Sequence, residues 1–444
     1  MSTLLAYTSP AAGHLFPLVP GLLELRARGH EVHVRMAAAH VPALRTVGLE
    51  AAAVDPRIEA IRVADHEARR GPDRLKRGFA DLLERGPLDR DDLDAAVAQV
   101  RPDALLVDTL AYGAHVAAER GGLPWAITLP SLLPLPGAGI PPYGLGLRPA
   151  SGPLGRARDA LLWRAVVRMY GRALLPPLNG LREAAGLRPF FSPLQLFAAP
   201  DRLLALTGDP LEYPRDDLPA HVRLVGAQAW DPPAVVPGWL SAPGDPWVLV
   251  TCSTEYQGDE QLAATAIEAL RELPVRVLVT LGGAAGRGGV RLPHAANVRV
   301  EPFAPHGPVL ARAAAVVCHG GMGIVQKSIA AGVPLVAVPF GRDQPEVARR
   351  VAECGAGQVV QRRRLTPERL RTAVQNALGA DARAAAAAVS ARLRAAGGPG
   401  AFADAVDELL AQPTLTSILP VLAPRSRSMN ACGAASRPST TVSR

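Results

Sequence analysis

"VVCHGGMGIVQKSIAAGVP", residues 316–334, sets one histidine between an apolar run and a cluster of glycines. Val316 to Cys318 read as the end of a strand, and a helix is expected to begin near Gly323. Glycines between the two let backbone N–H groups approach a ligand closely, and the helix N-terminus adds about half a positive charge. Such a turn suits a phosphate. On its own the same string also suits a tight strand-to-helix turn around a structurally satisfied histidine.

Working outward, the same rhythm repeats along the second half of the chain. "WVLVTCS" (247–253), "VRVLVTLGG" (275–283), "VRVEPF" (298–303), "AAVVCHG" (314–320) and "PLVAVPF" (334–340) read as strands. "DEQLAATAIEALREL" and "GIVQKSIAAG" between them read as helices. In the first half, "TLLAYTS" (3–9), "EVHVRMA" (31–37), "ALLVDTL" (104–110), "PWAITLP" (124–130) and "HVRLVGA" (221–227) are strands by the same criteria, with helical stretches between them. Strands alternating with helices imply parallel strands, crossover helices and an open α/β sheet in each half. The pattern dissolves over 131–160, which is rich in Pro and Gly, and resumes with the amphipathic "ALLWRAVVRMYGRAL". "QAWDPPAVVPGWLSAPGDP" is the most linker-like interior stretch. The expected organisation is a first domain over 1–225, a linker over 226–243, a second domain over 244–395, a C-terminal helix over 396–412 and a disordered tail over 413–444.

Composition narrows the function classes. At 444 residues the chain suits two domains, each large enough to bury a core. The formal charge is +8, yet Arg425, Arg427, Arg437 and Arg444 sit in an acid-free tail, so the body is only mildly basic. Lysine occurs only as Lys76 and Lys327, and nucleic-acid binding is disfavoured. Cys252, Cys318, Cys354 and Cys432 form no CxxC pair, which disfavours zinc and disulfide frameworks and fits a reducing cytoplasm. The N-terminus lacks a basic region before its apolar run, and the apolar stretch 129–147 is broken by Pro and Gly. Neither a signal peptide nor a membrane span is expected.

Taken with "EPFAPHGPVLARAA" upstream and "GVPLVAVPFGRDQPEVARRVAECGAG" downstream, the opening stretch closely resembles the nucleotide-sugar-binding region of family 1 glycosyltransferases with the GT-B fold. The resemblance is to bacterial enzymes that glycosylate macrolides and aromatic polyketides, and it covers most of residues 1–411. It implies two Rossmann-like domains whose parallel sheets face each other across a cleft. It further implies that His319 contacts a diphosphate, with the backbone of Gly320, Gly321, Met322 and Gly323 forming the cradle. Phe303 matches the aromatic position lying against the pyrimidine, with the Ala304 backbone reading the base edge. Asp343 and Gln344 match the acid–amide pair that binds sugar hydroxyls, while Ser253 and Thr254 match small hydroxyl residues near the phosphates.

Departures from the family pattern carry information too. Ile324 stands where many relatives have Ser or Thr, and Val347 replaces a common asparagine without a derivable consequence. Lys327 replaces the glutamate that binds both ribose hydroxyls in UDP-sugar relatives. A carboxylate accepts from a vicinal diol, whereas an ammonium only donates. A dTDP-sugar is therefore the expected donor, against the plainer reading of Lys327 as a residue on a solvated helix face.

In the first half, "AAGH" places His14 in the loop after the first strand, and "VDT" places Asp108 at the end of another. Both face the crevice above the carboxyl ends of a parallel sheet. A neutral imidazole there can take a proton from an acceptor hydroxyl while the carboxylate orients it. The resemblance assigns these two as base and partner in an inverting displacement that requires no metal or other cofactor. Asp92 and Asp94 in "DRDDLDAAV" are better explained as helix N-cap residues than as a metal-binding pair. His115 is expected to pack. The expected partners are a nucleotide-sugar donor and a hydrophobic small-molecule acceptor, for which "LLPLPGAGIPPYGLGL" supplies apolar lining or simply packs as a loop; a homodimer or an auxiliary protein partner stays open. A dehydrogenase is excluded because "YTSPAAGHLFPL" has one glycine where GxGxxG is required. A GT-B epimerase is disfavoured by the loop at 131–150. The remaining rival is a non-catalytic paralogue that stabilises a partner glycosyltransferase, which would be expected to lose His14, Asp108 or the glycine turn.

Overall fold

The computed structural model describes residues 1–68, 71–285 and 291–411, and the expected tail over 413–444 lies outside them. The first half forms a seven-stranded sheet from β1 (Thr3–Tyr7), β2 (Glu31–Met36), β3 (Glu50–Ala53), β4 (Ala104–Asp108), β5 (Trp125–Leu129), β6 (Arg202–Ala205) and β7 (Val222–Leu224). Its order is β3-β2-β1-β4-β5-β6-β7. The second half forms a six-stranded sheet from β8 (Trp247–Thr251), β9 (Arg276–Thr280), β10 (Val298–Glu301), β11 (Ala313–Cys318), β12 (Leu335–Ala337) and β13 (Gly357–Val359), in the order β10-β9-β8-β11-β12-β13. Every strand pairing is parallel.

The interior strands are buried on both faces, as a sheet covered by crossover helices requires. Along β1, Leu4 and Ala6 join one apolar cluster while Leu5 and Tyr7 join another on the opposite face. The helix Pro399–Leu410 returns to the first half and lies on the helix Val19–Ala27. Phe402 is completely buried there, and a Cβ at Gly21 would fall 2.3 Å from its ring, so only glycine fits beneath it. Arg28 fastens the same contact by donating to Asp404 at 2.7 Å and Asp407 at 2.9 Å.

Two expectations change. Asp92 and Asp94 lie in the middle of the helix Gly86–Val100, not at its start, so they cap nothing. Asp92 instead accepts from Arg35 at 2.7 Å, and Asp94 pairs with Arg120. The amphipathic segment near residue 160 is part of a 33-residue helix, Gly152–Ala184, that runs on through Pro176 and Pro177. Trp163 on this helix donates to the Ile140 carbonyl at 2.9 Å and seats the irregular loop after β5 against it.

Candidate active site

Each sheet reverses its strand order at one place, between β1 and β4 in the first half and between β8 and β11 in the second. Chains leaving adjacent strands there diverge to opposite faces, which opens a crevice at the carboxyl ends. A cleft of about 1500 Å³ is lined from both crevices.

In the first crevice, the short helix Ala12–Leu15 follows β1 and carries His14, while Asp108 is the last residue of β4. His14 Nδ1 and Asp108 Oδ2 are 2.7 Å apart. The carboxylate is held from behind, because Oδ1 accepts the Leu110 N–H at 3.0 Å. Asp108 is 1% exposed at its side chain against 23% for His14, so the pair is buried on the carboxylate side and open on the imidazole side. Burial by itself lowers the imidazole pKa, but the Asp108 charge and hydrogen bond outweigh it and the net shift is upward. With Nδ1–H donated to the carboxylate, Nε2 is the basic atom. His115 packs beneath this pair: it is buried, donates from Nε2 to the Asp108 carbonyl at 2.8 Å, and burial lowers its pKa to about 4.

In the second crevice, β11 ends at Cys318 and His319 follows. Gly320 has φ of +85°, a left-handed turn natural to glycine. Gly321 is the N-cap of the helix Met322–Ala330 and brings no side chain to satisfy its first turn. The N–H groups of Gly321, Met322 and Gly323 make no hydrogen bond among the described residues. A Cβ at Gly321 would lie 2.3 Å from His319 Nε2, whereas one at Gly323 meets nothing within 4 Å. The imidazole therefore presses onto the glycine turn, with open space over the helix end. Burial lowers the His319 pKa, which favours the neutral ring.

The remaining expected residues surround this helix end. Ser253 follows β8; its N–H donates to the buried Asp259 carboxylate at 2.6 Å and its hydroxyl accepts from Gln257 at 2.8 Å. Thr254 is exposed on the cleft. Phe303 is 57% exposed with its ring on the cleft, while Ala304 beside it is buried. Asp343 is the N-cap of the helix Gln344–Cys354, but its carboxylate does not cap the helix. Oδ2 accepts instead from Ser131 of the first half at 2.6 Å. Gln344 beside it also lines the cleft, and its side chain is buried and engaged within the protein. Its Oε1 accepts the Phe340 and Gly341 N–H groups at 2.8 and 3.1 Å, and its Nε2 donates to Gln257 at 2.7 Å.

Several cleft residues carry no motif in the sequence. Arg342 adopts φ of 54°, unusual for a non-glycine residue, and is supported by donating to Asp65 of the first half at 2.7 and 3.2 Å. Lys327 lies in the cleft, not on a solvated face, with its ammonium 2.5 Å from Asp231. The apolar wall comes from the helices Gly71–Glu84 and Gly152–Ala184, including Phe79, Leu82, Trp163, Val166 and Tyr170. The Pro-rich loop after β5 gives the cleft Pro134, Tyr143 and Gly144, while Leu132, Leu133 and Ile140 pack inward. Among the described residues, no group of three or more His, Cys, Asp or Glu side chains is placed to hold a metal ion, and no helix is long and apolar enough to cross a membrane.

Residues 264–411 match the family described as erythromycin biosynthesis protein CIII-like, C-terminal domain. The chain is 33% identical over 391 residues to the 4'-demethylrebeccamycin synthase of Lentzea aerocolonigenes, covering 84% of this chain and 91% of that protein. It is 27% identical over 429 residues to the demethyllactenocin mycarosyltransferase of Streptomyces fradiae, covering 92% and 87% respectively. Among solved structures, the glycotransferase of kitacinnamycin superposes with a TM-score of 0.68 at 25% identity, over 92% of this chain and 99% of the other. The glycosyltransferase VinC, solved in complex with dTDP, superposes at 0.65 with 26% identity, over 92% and 98%. Two parallel sheets that share one cleft are the architecture of these enzymes, and the chain belongs to the GT-B family of glycosyltransferases of natural-product biosynthesis.

Proposed function

We propose that this enzyme moves a sugar from a dTDP-sugar to a hydroxyl of a hydrophobic aglycone, with inversion at the anomeric carbon. The observation that carries this reading is the His14–Asp108 pair opening onto the same cleft as the uncapped helix end at Gly321. His14 Nε2 removes the acceptor hydroxyl proton as the oxygen forms its bond to the anomeric carbon. The bond from that carbon to the diphosphate oxygen breaks on the opposite side, and its electron pair leaves with dTDP. Asp108 stabilises the imidazolium that results. His319 and the N–H groups of Gly321, Met322 and Gly323 receive the charge developing on the departing diphosphate, a role for prepaid dipoles in a partly dry site. The wall around Phe79, Trp163 and Tyr170 suits an apolar acceptor. The absence of an acid at position 327 supports the deoxyribose donor, and the VinC complex with dTDP is consistent with it.

The test is a donor and acceptor screen. The protein is incubated with dTDP- and UDP-sugars and a panel of polyketide and other aromatic aglycones, and glycosides are detected by mass and their anomeric configuration by proton coupling. Products of inverted configuration that disappear in His14→Ala are expected. Retained configuration, or full activity in His14→Ala, overturns the mechanism.

A further inference from the structure

We infer that Arg85 forms an anion-recognition subsite on the wall of the cleft proposed to hold the acceptor, and that it selects an aglycone carrying a carboxylate or an acidic phenol. The inference rests on the acceptor reading above and adds a charge to that acceptor, through a residue that no motif marks.

Arg85 is the single residue between the helices Gly71–Glu84 and Gly86–Val100, and it lines the cleft together with Leu82, Leu110 and Tyr112. Leu110 and Tyr112 follow closely on Asp108, so the subsite belongs to the half that carries the His14–Asp108 pair. Only 7% of Arg85 is exposed. A cation so far withdrawn from water is costly unless a negative charge offsets it. Among the described residues, no carboxylate forms an ion pair with this guanidinium, and its hydrogen bonds go to one backbone carbonyl, that of Ile61.

Three acids act on Arg85 from farther off, and none replaces a direct partner. Asp89 is buried and accepts from Tyr7 at 3.2 Å, and burial raises its pKa to about 7, so it is only partly charged near neutral pH. Asp81 is taken by Arg77 at 2.9 Å and by the Ala64 N–H at 2.8 Å. Glu255 is exposed on the second half, where water screens it. Burial outweighs the pull of all three, and the Arg85 pKa is lowered. The geometry of the unused donors then specifies the ligand. A guanidinium has five N–H groups, of which Nε and Nη2 spend one each on the Ile61 carbonyl. What is left is the outer edge, formed by Nη1 and the second N–H of Nη2. That edge matches the two oxygens of a carboxylate. A neutral carbonyl or ether would fill one place and bring no charge, whereas an anionic oxygen meets the need for an acceptor and the need for a counter-charge together.

Calorimetric titration of naphthoate and of neutral naphthylmethanol, two apolar probes of matched size, into the wild type, Arg85→Gln and Arg85→Lys tests the subsite. Each titration is run with and without saturating dTDP, which keeps the acid out of the glycine turn at the helix end. With dTDP present, the wild type is expected to bind naphthoate at least tenfold more tightly than the alcohol. Arg85→Gln should abolish that preference by weakening naphthoate alone. Arg85→Lys, which keeps the charge but not the planar edge, should retain part of it. Equal affinity for the two probes in the wild type overturns the inference, as does a preference that vanishes when dTDP is added. Equal weakening of both probes in Arg85→Gln overturns it too, and shows a mere clasp on the Ile61 carbonyl. A wild type that keeps an Arg85-dependent preference for naphthoate but binds no nucleotide leaves the subsite standing and removes the sugar-transfer reading instead.

Discussion

Ser131 donates its hydroxyl proton to Asp343 at 2.6 Å, joining the loop after β5 in the first half to the N-terminus of the helix Gln344–Cys354 in the second. Tyr143 closes the arrangement, its hydroxyl 3.3 Å from Ser131 Oγ. The carboxylate expected to bind a sugar hydroxyl thus already carries one hydroxyl, contributed by the first half.

Removing that hydroxyl should alter donor preference. In Ser131→Ala the carboxylate is free to accept from the substrate. The KM for a fully hydroxylated hexose donor is expected to fall relative to that of a deoxyhexose donor by about fivefold, as a hydrogen bond worth ~1 kcal/mol implies. Steady-state kinetics with a matched donor pair checks this; an unchanged ratio refutes it.

Substitutions in the dyad should act on turnover. His14→Ala removes the base and should lower kcat by a factor on the order of 10² to 10⁴, with little change in donor affinity. Asp108→Asn keeps the shape but exchanges the charged partner, and it should also depress kcat, by a smaller factor. Donor affinity measured by titration separates these effects from misfolding.

The pH profile follows from the raised pKa of His14. Catalysis needs the neutral ring, so kcat/KM should rise with pH through an apparent pKa above the ordinary histidine value of about 6.5. In Asp108→Asn the charge that favours the protonated ring is gone, and the acid limb should move to lower pH. Stability runs the other way. The dyad's contribution to folding is fully present below the unfolded-state pKa and is lost as pH rises through the higher folded-state pKa. Activity and thermal midpoint measured across pH 5 to about 9 should therefore trend oppositely for this pair.

Phe402→Ala tests how the C-terminal helix is held. The ring is fully buried against Gly21. Its loss should cost roughly 3–5 kcal/mol, read as a lower denaturation midpoint by urea titration.

Much of this molecule is legible as a string. Runs such as "ALLVD" and "WVLVT" announce buried parallel strands because β-branched and leucine side chains pack on both faces of a sheet. β3 "EAAA", β6 "RLLA" and β13 "GQV" escape notice because they are short and weak in strand propensity; pairing with β2, β5 and β12 makes them strands. His14, Asp108, His319 and the glycine turn were readable because each lies at, or within one short loop of, the end of a strand that the pattern reveals. Ser131, which meets Asp343 from 212 positions away, and Asp65, which meets Arg342 from 277 away, bear no such mark.

The sequence by itself determined the two α/β halves, the anion-ready helix end and the histidine–aspartate pair, since these depend on side-chain periodicity and on residues close to a strand terminus. Only the tertiary structure decided that Asp231 reaches Lys327, that Ser131 occupies Asp343 and that Gln344 is engaged within its own loop. The first two contacts join segments 96 and 212 positions apart, and local propensity carries no information about which distant polar groups folding will bring within hydrogen-bond range.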